Sequence, residues 1–167
     1  IFVVKIKIIM KVSILGNGLT SLTLAKLLTN QGIKVDIFSD QKIKKYNKIQ
    51  TLGISKTNID FFNKNILDIK KLLWNVNKIE IFSENLDNQK ILEFKDYDNY
   101  LFSIIKNIDL YNYLNLDLKK QKIINFKKKI DYKNLVKQNY NLIFNCDFDH
   151  SISKKFFYKK ISKSYDS

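Results

Sequence analysis

The sequence contains no arginine and no proline, and only four glycines among its 167 residues. All 30 basic residues are therefore lysine, and Ala25 is the only alanine. Arginine, proline, glycine and alanine share GC-rich codons, so a strongly AT-rich genome explains these shortages most simply. The composition consequently carries less physical information about this chain than it does for most proteins.

Cysteine and histidine each occur once, as Cys146 and His150. One cysteine excludes an internal disulfide and a cysteine-based zinc site, and it fits a reducing cytoplasm. One histidine excludes a multi-histidine metal site, so we expect no metal. We interpret Cys146 as a small apolar strand residue and His150 as a surface loop residue. No apolar run reaches the roughly 18–20 residues of a membrane span.

The formal net charge of +14 would ordinarily indicate nucleic acid or an anionic membrane as a partner. Base reading and bidentate phosphate binding rely heavily on guanidinium groups, however, and the chain has none. Its lysines are also spread along the sequence, apart from short runs such as Lys127-Lys128-Lys129. We therefore interpret the lysines as a solvated surface, and nucleic acid is disfavoured as a partner.

A strand, a glycine turn, a helix and a second strand follow one another near the N-terminus. The first strand is predicted at 11–15, and the second at 34–38. Between them the leucines at 24, 27 and 28 have helical spacing, and Gly32 suits the end of the helix. This order predicts a right-handed βαβ unit.

The turn Gly16-Asn17-Gly18-Leu19-Thr20-Ser21 has the chemistry of a diphosphate site. Gly16 allows a tight turn, and Gly18 lacks the Cβ that would block a pyrophosphate. The amides of Leu19 and Thr20 begin the helix and would face the phosphates. Ser21 occupies a third small position, usually glycine, where helix and strand pack closely. The turn predicts binding of FAD or NAD(P).

The residue that holds the adenosine ribose should lie about 20 residues further on, at the end of the second strand. Spacing favours Ser39, whereas chemistry favours Asp40, whose carboxylate can accept hydrogen bonds from both ribose hydroxyls. We choose Asp40. The alternative is that Asp40 merely begins a turn.

The rest of the chain continues as a mixture of helices and short strands. Ser55 is expected to cap a second helix whose buried stripe comprises Ile59, Phe62, Ile66 and Ile69. Further strands are predicted at 79–82, 91–94, 100–105, 123–126 and 141–145, with a helix at 108–118. The predicted fold class is α/β, a Rossmann-like FAD/NAD(P)-binding domain with a parallel sheet and a strand-rich insertion, incomplete at the C-terminus. Residues 1–9 are expected to be an upstream extension, and residues 10–167 the N-terminal part of the FAD-binding domain.

Three segments in this order resemble the class A flavoprotein monooxygenases, and most closely the ubiquinone-biosynthesis hydroxylases. The first is the glycine turn within 12–38. The second is Gln50-Thr51-Leu52-Gly53-Ile54-Ser55, similar to an R-x-x-A-L-S segment, which continues to Asn107-Ile108-Asp109-Leu110, similar to N-R-x-L. The third is Asn145-Cys146-Asp147-Phe148 with Ser151 and Lys154, similar to G-A-D-G-x-x-S-x-x-R. Gln50, Ile108 and Phe148 depart from those patterns.

The resemblance implies a complete enzyme that uses FAD, with NAD(P)H as co-substrate and O2, to hydroxylate an aromatic ring. It implies cofactor contacts at Gln50 and Asp147, in addition to the glycine turn. A small aromatic substrate such as a polyprenylated phenol would imply peripheral contact with the inner membrane. No catalytic residue is identified, and the second G-D-A fingerprint of the family does not occur. We therefore expect this part alone to bind FAD weakly and to be inactive.

Two other hypotheses stay open at this point. A nicotinamide-dependent dehydrogenase shares the opening βαβ unit, but it predicts continued strand–helix alternation after residue 38. A non-catalytic remnant of the flavoprotein fold would have kept the architecture and lost the cofactor. Ser21 and Phe148 are the residues that favour the remnant.

Overall fold

The computed structural model describes residues 10–40, 50–96 and 99–157, so the expected upstream extension at 1–9 lies outside the described residues. The chain divides into two compact units. The first, the sheet unit, comprises Ile1–Ile43 and Gln121–Ser167, and the second, the insertion unit, comprises Lys44–Lys120. The strand-rich insertion predicted from the sequence is thus a compact unit of its own.

The sheet unit contains the βαβ motif at the positions that the sequence predicted. Its elements are β1 (Lys11–Leu15), α1 (Leu19–Asn30) and β2 (Lys34–Ser39), and, after the insertion, β8 (Ile124–Lys128), α4 (Tyr132–Val136) and β9 (Leu142–Asn145). Helix α4 was not predicted. Asp131 caps it by accepting a hydrogen bond from the Asn134 amide at 2.8 Å, which stabilises a helix of only five residues.

The four strands form one parallel sheet in the order β8-β2-β1-β9. Strand β1 lies between β2 and β9, so the chain runs outward from β1 through β2 to β8 and then returns to the other side of β1 to form β9. This is the first part of a doubly wound sheet, whose order 3-2-1-4 it reproduces. The predicted α/β class with a parallel sheet is therefore confirmed.

Both faces of this sheet are buried at its two central strands, β1 and β2. Leu15 and Phe38 are partners in register, and they pack with Leu135 of α4 and with Ile152 in one apolar cluster. Strand alternation places Ile14 and Ile37 on the other face, and both are fully buried. Helix α1 packs on β1 and β2 through Ser21, Leu22, Ala25 and Thr29, while the leucines at 24, 27 and 28 are only half-buried.

The insertion unit is built from antiparallel strands and two helices. Its elements are β3 (Thr51–Ile54), α2 (Lys56–Asn65), β4 (Trp74–Val76), β5 (Lys78–Ser83), β6 (Gln89–Lys95), β7 (Phe102–Lys106) and α3 (Asn107–Lys119). Strand β7 pairs with β3 and β4, and β5 pairs with β6 as a hairpin. Strands β3 and β4 were not predicted, because each has only three or four residues, too few for an alternation of polar and apolar residues to be recognised as a strand.

The predicted cap and the predicted stripe of α2 had different outcomes. The Ser55 hydroxyl accepts a hydrogen bond from the Asn58 amide at 3.3 Å, as expected for a cap. Ile59, Ile66 and Ile69 are buried and Phe62 is half-buried, but the helix ends at Asn65. The assignment of Ile69 to the helix was therefore wrong. Its amide instead donates to the Asn63 side chain at 2.9 Å, which turns the chain after the helix.

Candidate dinucleotide-binding site

Gly16 makes the tight turn at the carboxyl end of β1. Its φ of +98° lies in the region that favours glycine, and its amide donates to the Phe38 carbonyl at 2.8 Å. A Cβ at this position would lie 3.2 Å from the Cys146 carbonyl oxygen and 3.3 Å from the Asp147 Cβ. Glycine at position 16 is therefore required by the fold itself, between the ends of β2 and β9.

Gly18 differs from Gly16 in both conformation and surroundings. It is the N-cap residue of α1, with a φ of −72° and a ψ of 179°, which any residue can adopt. A Cβ built at Gly18 would have no heavy atom of the described residues within 4 Å, so among them open space lies where that side chain would be. The fold does not require glycine here, whereas close approach of a ligand to the backbone would.

The first turn of α1 carries no group that neutralises its amides. Gly18 has no side chain with which to cap the helix, and the first turn contains no acidic residue. The turn lies where β1 meets β9, which is the switch point of the doubly wound sheet. Partial positive charge from the unpaired amides of Leu19 and Thr20 is therefore available to an anion at this point.

Ser21, the third small position, is fully buried between α1 and the sheet, so its side chain is placed for packing. Its hydroxyl oxygen is buried with no conventional hydrogen-bond partner. The half-buried thiol of Cys146 is its neighbour: burial raises the pKa of Cys146, and the nearby Ser21 hydroxyl partly offsets that rise. Cys146 follows β9 directly, with its amide bonded to the Leu15 carbonyl at 2.9 Å.

Asp40 and Ser39 lie at the carboxyl end of β2, as the sequence predicted. Ser39 is the last residue of the strand, and Asp40 follows it with a side chain that is 64% exposed. The Asp40 carboxylate is not free, because the Lys129 ammonium lies 3.3 Å from it. Lys129 is a residue of this site that sequence reasoning missed, since the lysine run was interpreted only as a solvated surface.

Asp147 lies across the sheet, directly after β9. One carboxylate oxygen accepts a hydrogen bond from the Asp149 amide at 3.1 Å, and the other lies 3.6 Å from the Lys129 ammonium. Burial alone would lower the pKa of Lys129, but Asp40 and Asp147 together raise it above its ordinary value. Three charged side chains from the ends of β2, β8 and β9 thus meet above the glycine turn.

A second charge cluster lies in the interior of the same sheet, around the buried Asp36 of β2. Its carboxylate accepts hydrogen bonds from Asn125 at 2.7 Å, Lys127 at 2.8 Å and Tyr140 at 2.5 Å, and the Lys11 ammonium lies 3.3 Å away. Burial would raise the pKa of Asp36, but the three hydrogen bonds lower it to about 2. Burial and the adjacent carboxylate raise the pKa of Tyr140. This cluster fixes β8 and the loop before β9 against β2.

The prediction that His150 is a surface loop residue was wrong. His150 is 2% exposed, and its Nε2 lies 2.8 Å from the Ile130 carbonyl oxygen, to which it donates. Nδ1 accepts a hydrogen bond from the Ile152 amide at 3.3 Å. Both ring nitrogens are thus used to join the segment after β9 to the segment after β8. A polar loop sequence gave no signal of this burial.

Gln50 and Asn107, which carry the second resemblance, are brought together in the insertion unit. The Asn107 amide, at the start of α3, donates to the Gln50 carbonyl at 2.8 Å. Gln50 is exposed and precedes β3, whereas Asn107 follows β7, so pairing of these two strands places the two motif segments side by side.

Phe148, where the family pattern has glycine, is 79% exposed. Its ring lines an apolar groove of about 810 Å³ together with Ile143, Ile152, Phe156 and Phe157. None of the glycine-turn residues lines that groove, and the space beside Gly18 contains no atom of Phe148. The phenylalanine therefore does not fill the corner in which a diphosphate would lie.

Within residues 10–40, 50–96 and 99–157, no cluster of three or more histidine, cysteine, aspartate or glutamate side chains could hold a metal ion. In the same ranges, every helix is too short or too polar to cross a bilayer.

No protein-family model matches the chain, and no curated protein matches it by sequence. Solved structures do match. The p-nitrophenol 4-monooxygenase PnpA from Pseudomonas putida aligns with a TM-score of 0.59 at 16% identity, over 72% of this chain and 32% of its own. Pseudomonas aeruginosa PqsL in complex with 2-aminobenzoylacetate gives 0.59 at 15%, over 71% and 33%. The 2,6-dihydroxypyridine-3-hydroxylase from Arthrobacter nicotinovorans gives 0.52 at 12%, over 71% and 28%.

The chain thus spans about a third of the length of these structures, and its fold is the one they share. PqsL is described as a probable FAD-dependent monooxygenase, and the other two are named as a hydroxylase and a monooxygenase of aromatic compounds. At these identities the likeness establishes architecture alone. The chain has the α/β fold, with parallel sheet and antiparallel insertion, of class A FAD-dependent aromatic monooxygenases.

Proposed function

We propose that this chain forms the adenosine-diphosphate half of the FAD site in an aromatic-ring hydroxylase. The observation that carries the proposal is the open space beside Gly18 at the switch point of the sheet. A glycine whose conformation any residue could adopt, next to uncapped helix amides, is explained by a ligand that approaches the backbone. Diphosphate has the charge and size for that position.

The described residues can contact the cofactor at two points. The turn at Gly16 and Gly18 leaves the helix amides open to the diphosphate. The Asp40 carboxylate stands at the end of β2, where it can accept from the ribose hydroxyls. When bound, FAD supplies the redox and oxygen chemistry, with NAD(P)H as reductant, while this part of the chain holds and orients its adenosine end.

Among the substrate classes, a small aromatic compound is the one that the structural neighbours support. PqsL was solved with 2-aminobenzoylacetate, and the other two act on a nitrophenol and a dihydroxypyridine. The narrower role in ubiquinone biosynthesis, with a polyprenylated phenol and peripheral membrane contact, rests on the sequence resemblance alone. We retain it as part of the proposal.

The dehydrogenase alternative requires strand–helix alternation after β2, and the insertion unit instead contains antiparallel strands. The remnant alternative requires that the site no longer binds a dinucleotide. Gly18→Val separates the remnant from the proposed function. Because nothing lies within 4 Å of the added Cβ and the backbone is extended, the variant should fold normally.

The test is an NMR titration of the chain with ADP. We expect the amides of Leu19 and Thr20 to shift in the wild type, and we expect no shifts in Gly18→Val, whose unperturbed spectrum reports the intact fold. ADP binding that survives the substitution would refute the proposal. A purified chain that carries stoichiometric flavin would refute the expectation that this part alone binds FAD weakly.

A further inference from the structure

Lys129 follows β8 and occupies an unusual position relative to the sheet. Strand β8 is at one edge and β9 is at the other, with β2 and β1 between them. The Lys129 ammonium nevertheless lies 3.3 Å from Asp40, after β2, and 3.6 Å from Asp147, after β9. Its side chain therefore extends across the carboxyl ends of the central strands, above the turn at Gly16.

The strand register explains why this lysine, and not its neighbour, reaches the site. Ser39 is the partner of Lys128, so Lys129 continues β8 at the level where Asp40 continues β2. Strand alternation places Lys127 and Lys129 on the face that carries Asp36, whereas Lys128 points to the other face and is exposed. Lys127 is already bonded to Asp36.

Negative charges at the carboxyl ends of the strands create a requirement for a cation. Asp40 and Asp147 supply two negative charges, and Lys129 supplies one positive charge between them. A diphosphate would bring two more negative charges to the same place. The chain contains no arginine, so no guanidinium is available to offset them.

We propose that Lys129 is the phosphate-binding cation of the dinucleotide site, held by Asp40 and Asp147 until a diphosphate replaces them as its partner. This inference rests on the proposed function and adds to it a residue that binds the ligand. Because the Lys129–Asp40 pair is largely exposed, exchanging it for a diphosphate contact costs little. The exchange also releases the Asp40 carboxylate toward the ribose hydroxyls.

The test compares ADP with adenosine, which lacks the phosphates, as ligands of the wild type, Lys129→Met and Lys128→Met. Both variants lose one positive charge, so Lys128→Met controls for net charge. Lys129→Met should weaken ADP binding by roughly tenfold, the scale of a charge-assisted hydrogen bond, and should change adenosine binding by less than about twofold. Lys128→Met should change both by less than about twofold.

Lys129→Met could weaken ADP binding in two ways: by loss of a contact between Lys129 and the diphosphate, or by repulsion of the diphosphate by an Asp147 carboxylate that the lysine no longer neutralises. A double variant distinguishes these two causes. If Lys129 binds the diphosphate, Lys129→Met with Asp147→Asn should bind ADP as weakly as Lys129→Met alone. Recovery of wild-type ADP affinity in the double variant would overturn the proposal, as would equal losses for ADP and adenosine in Lys129→Met.

If Gly18→Val binds ADP normally, or the wild type binds none, the proposed function fails and this inference falls with it. A wild type that binds ADP no better than Lys129→Met overturns only the role of Lys129.

Discussion

The two glycines of the turn should respond in opposite ways when each is replaced by alanine. Gly16 has a positive φ and contacts the backbone after β9, whereas Gly18 has an ordinary φ and an empty surrounding. Alanine at position 16 should therefore destabilise the fold, and alanine at position 18 should leave it unchanged. Adding the same methyl group at positions 16 and 18 thus distinguishes a glycine that the fold requires from a glycine that ligand binding requires.

The magnitudes follow from the geometry. A left-handed conformation in a residue other than glycine costs on the order of 1–2 kcal/mol. Contacts of 3.2 Å and 3.3 Å with the Cys146 carbonyl and the Asp147 Cβ force small shifts of the end of β9. Overpacking of this kind adds about 1 kcal/mol or more, so Gly16→Ala should lose about 2–4 kcal/mol. For Gly18→Ala, a poorer N-cap is offset by a less flexible unfolded chain, and the change should stay within about 0.5 kcal/mol.

Urea unfolding of the two variants and the wild type, followed by circular dichroism, measures these differences. Equal m-values would show that the midpoints can be compared directly. Gly16→Ala should unfold at a clearly lower urea concentration, and Gly18→Ala should unfold with the wild type. Equal midpoints for the two variants would refute the assignment of Gly16 to the fold. A large loss in Gly18→Ala would show that the space beside Gly18 is not open.

Three further predictions concern buried polar groups of the sheet unit. Asp36→Asn should lower the free energy of unfolding by about 2–3 kcal/mol, because Lys127 and Tyr140 lose a charged hydrogen-bond acceptor. An unchanged midpoint in urea unfolding would contradict a stabilising role for the Asp36 carboxylate. The folded pKa of Asp36, about 2, lies below its ordinary value of 3.8, so roughly 2 kcal/mol of stability present above pH 4 should disappear as the pH falls from about 4 to about 2. Asp36→Asn should flatten that part of the pH profile. Ser21→Ala should raise the free energy of unfolding by up to about 1 kcal/mol, because it removes a buried hydroxyl without a conventional hydrogen-bond partner. A lower urea midpoint for this variant would show that the hydroxyl makes a stabilising hydrogen bond.

The βαβ unit could be predicted from the sequence because its signals are local. Five apolar-rich residues, two closely spaced glycines, a helical leucine pattern and Gly32 follow one another within 11–38. Each signal acts through backbone conformation or through neighbours a few residues away. The observed bounds of β1, α1 and β2 agree with the prediction to within about a residue.

The insertion unit was less predictable because two of its strands are very short. Strand β3 has four residues and β4 has three, so the alternation of polar and apolar residues in each is too brief to distinguish a strand from a loop. Their pairing with β7 depends on contacts between residues that are distant in sequence. The hairpin of β5 and β6, by contrast, has two alternating segments joined by a polar turn, and both of its strands were predicted.

The partners of the charged residues in the sheet could have been predicted if the pairing of β8 with β2 had been known. Asp36 bonds to Asn125, Lys127 and Tyr140, which lie 89, 91 and 104 residues away, and no local pattern links them. Once β8 is known to pair with β2 in this register, however, alternation alone assigns Lys127 to the buried carboxylate and Lys129 to the edge of the site. The lysine run therefore contains two positions that pair with carboxylates, Lys127 and Lys129, and one solvated position, Lys128. Strand pairing, which the sequence does not display, determines which is which.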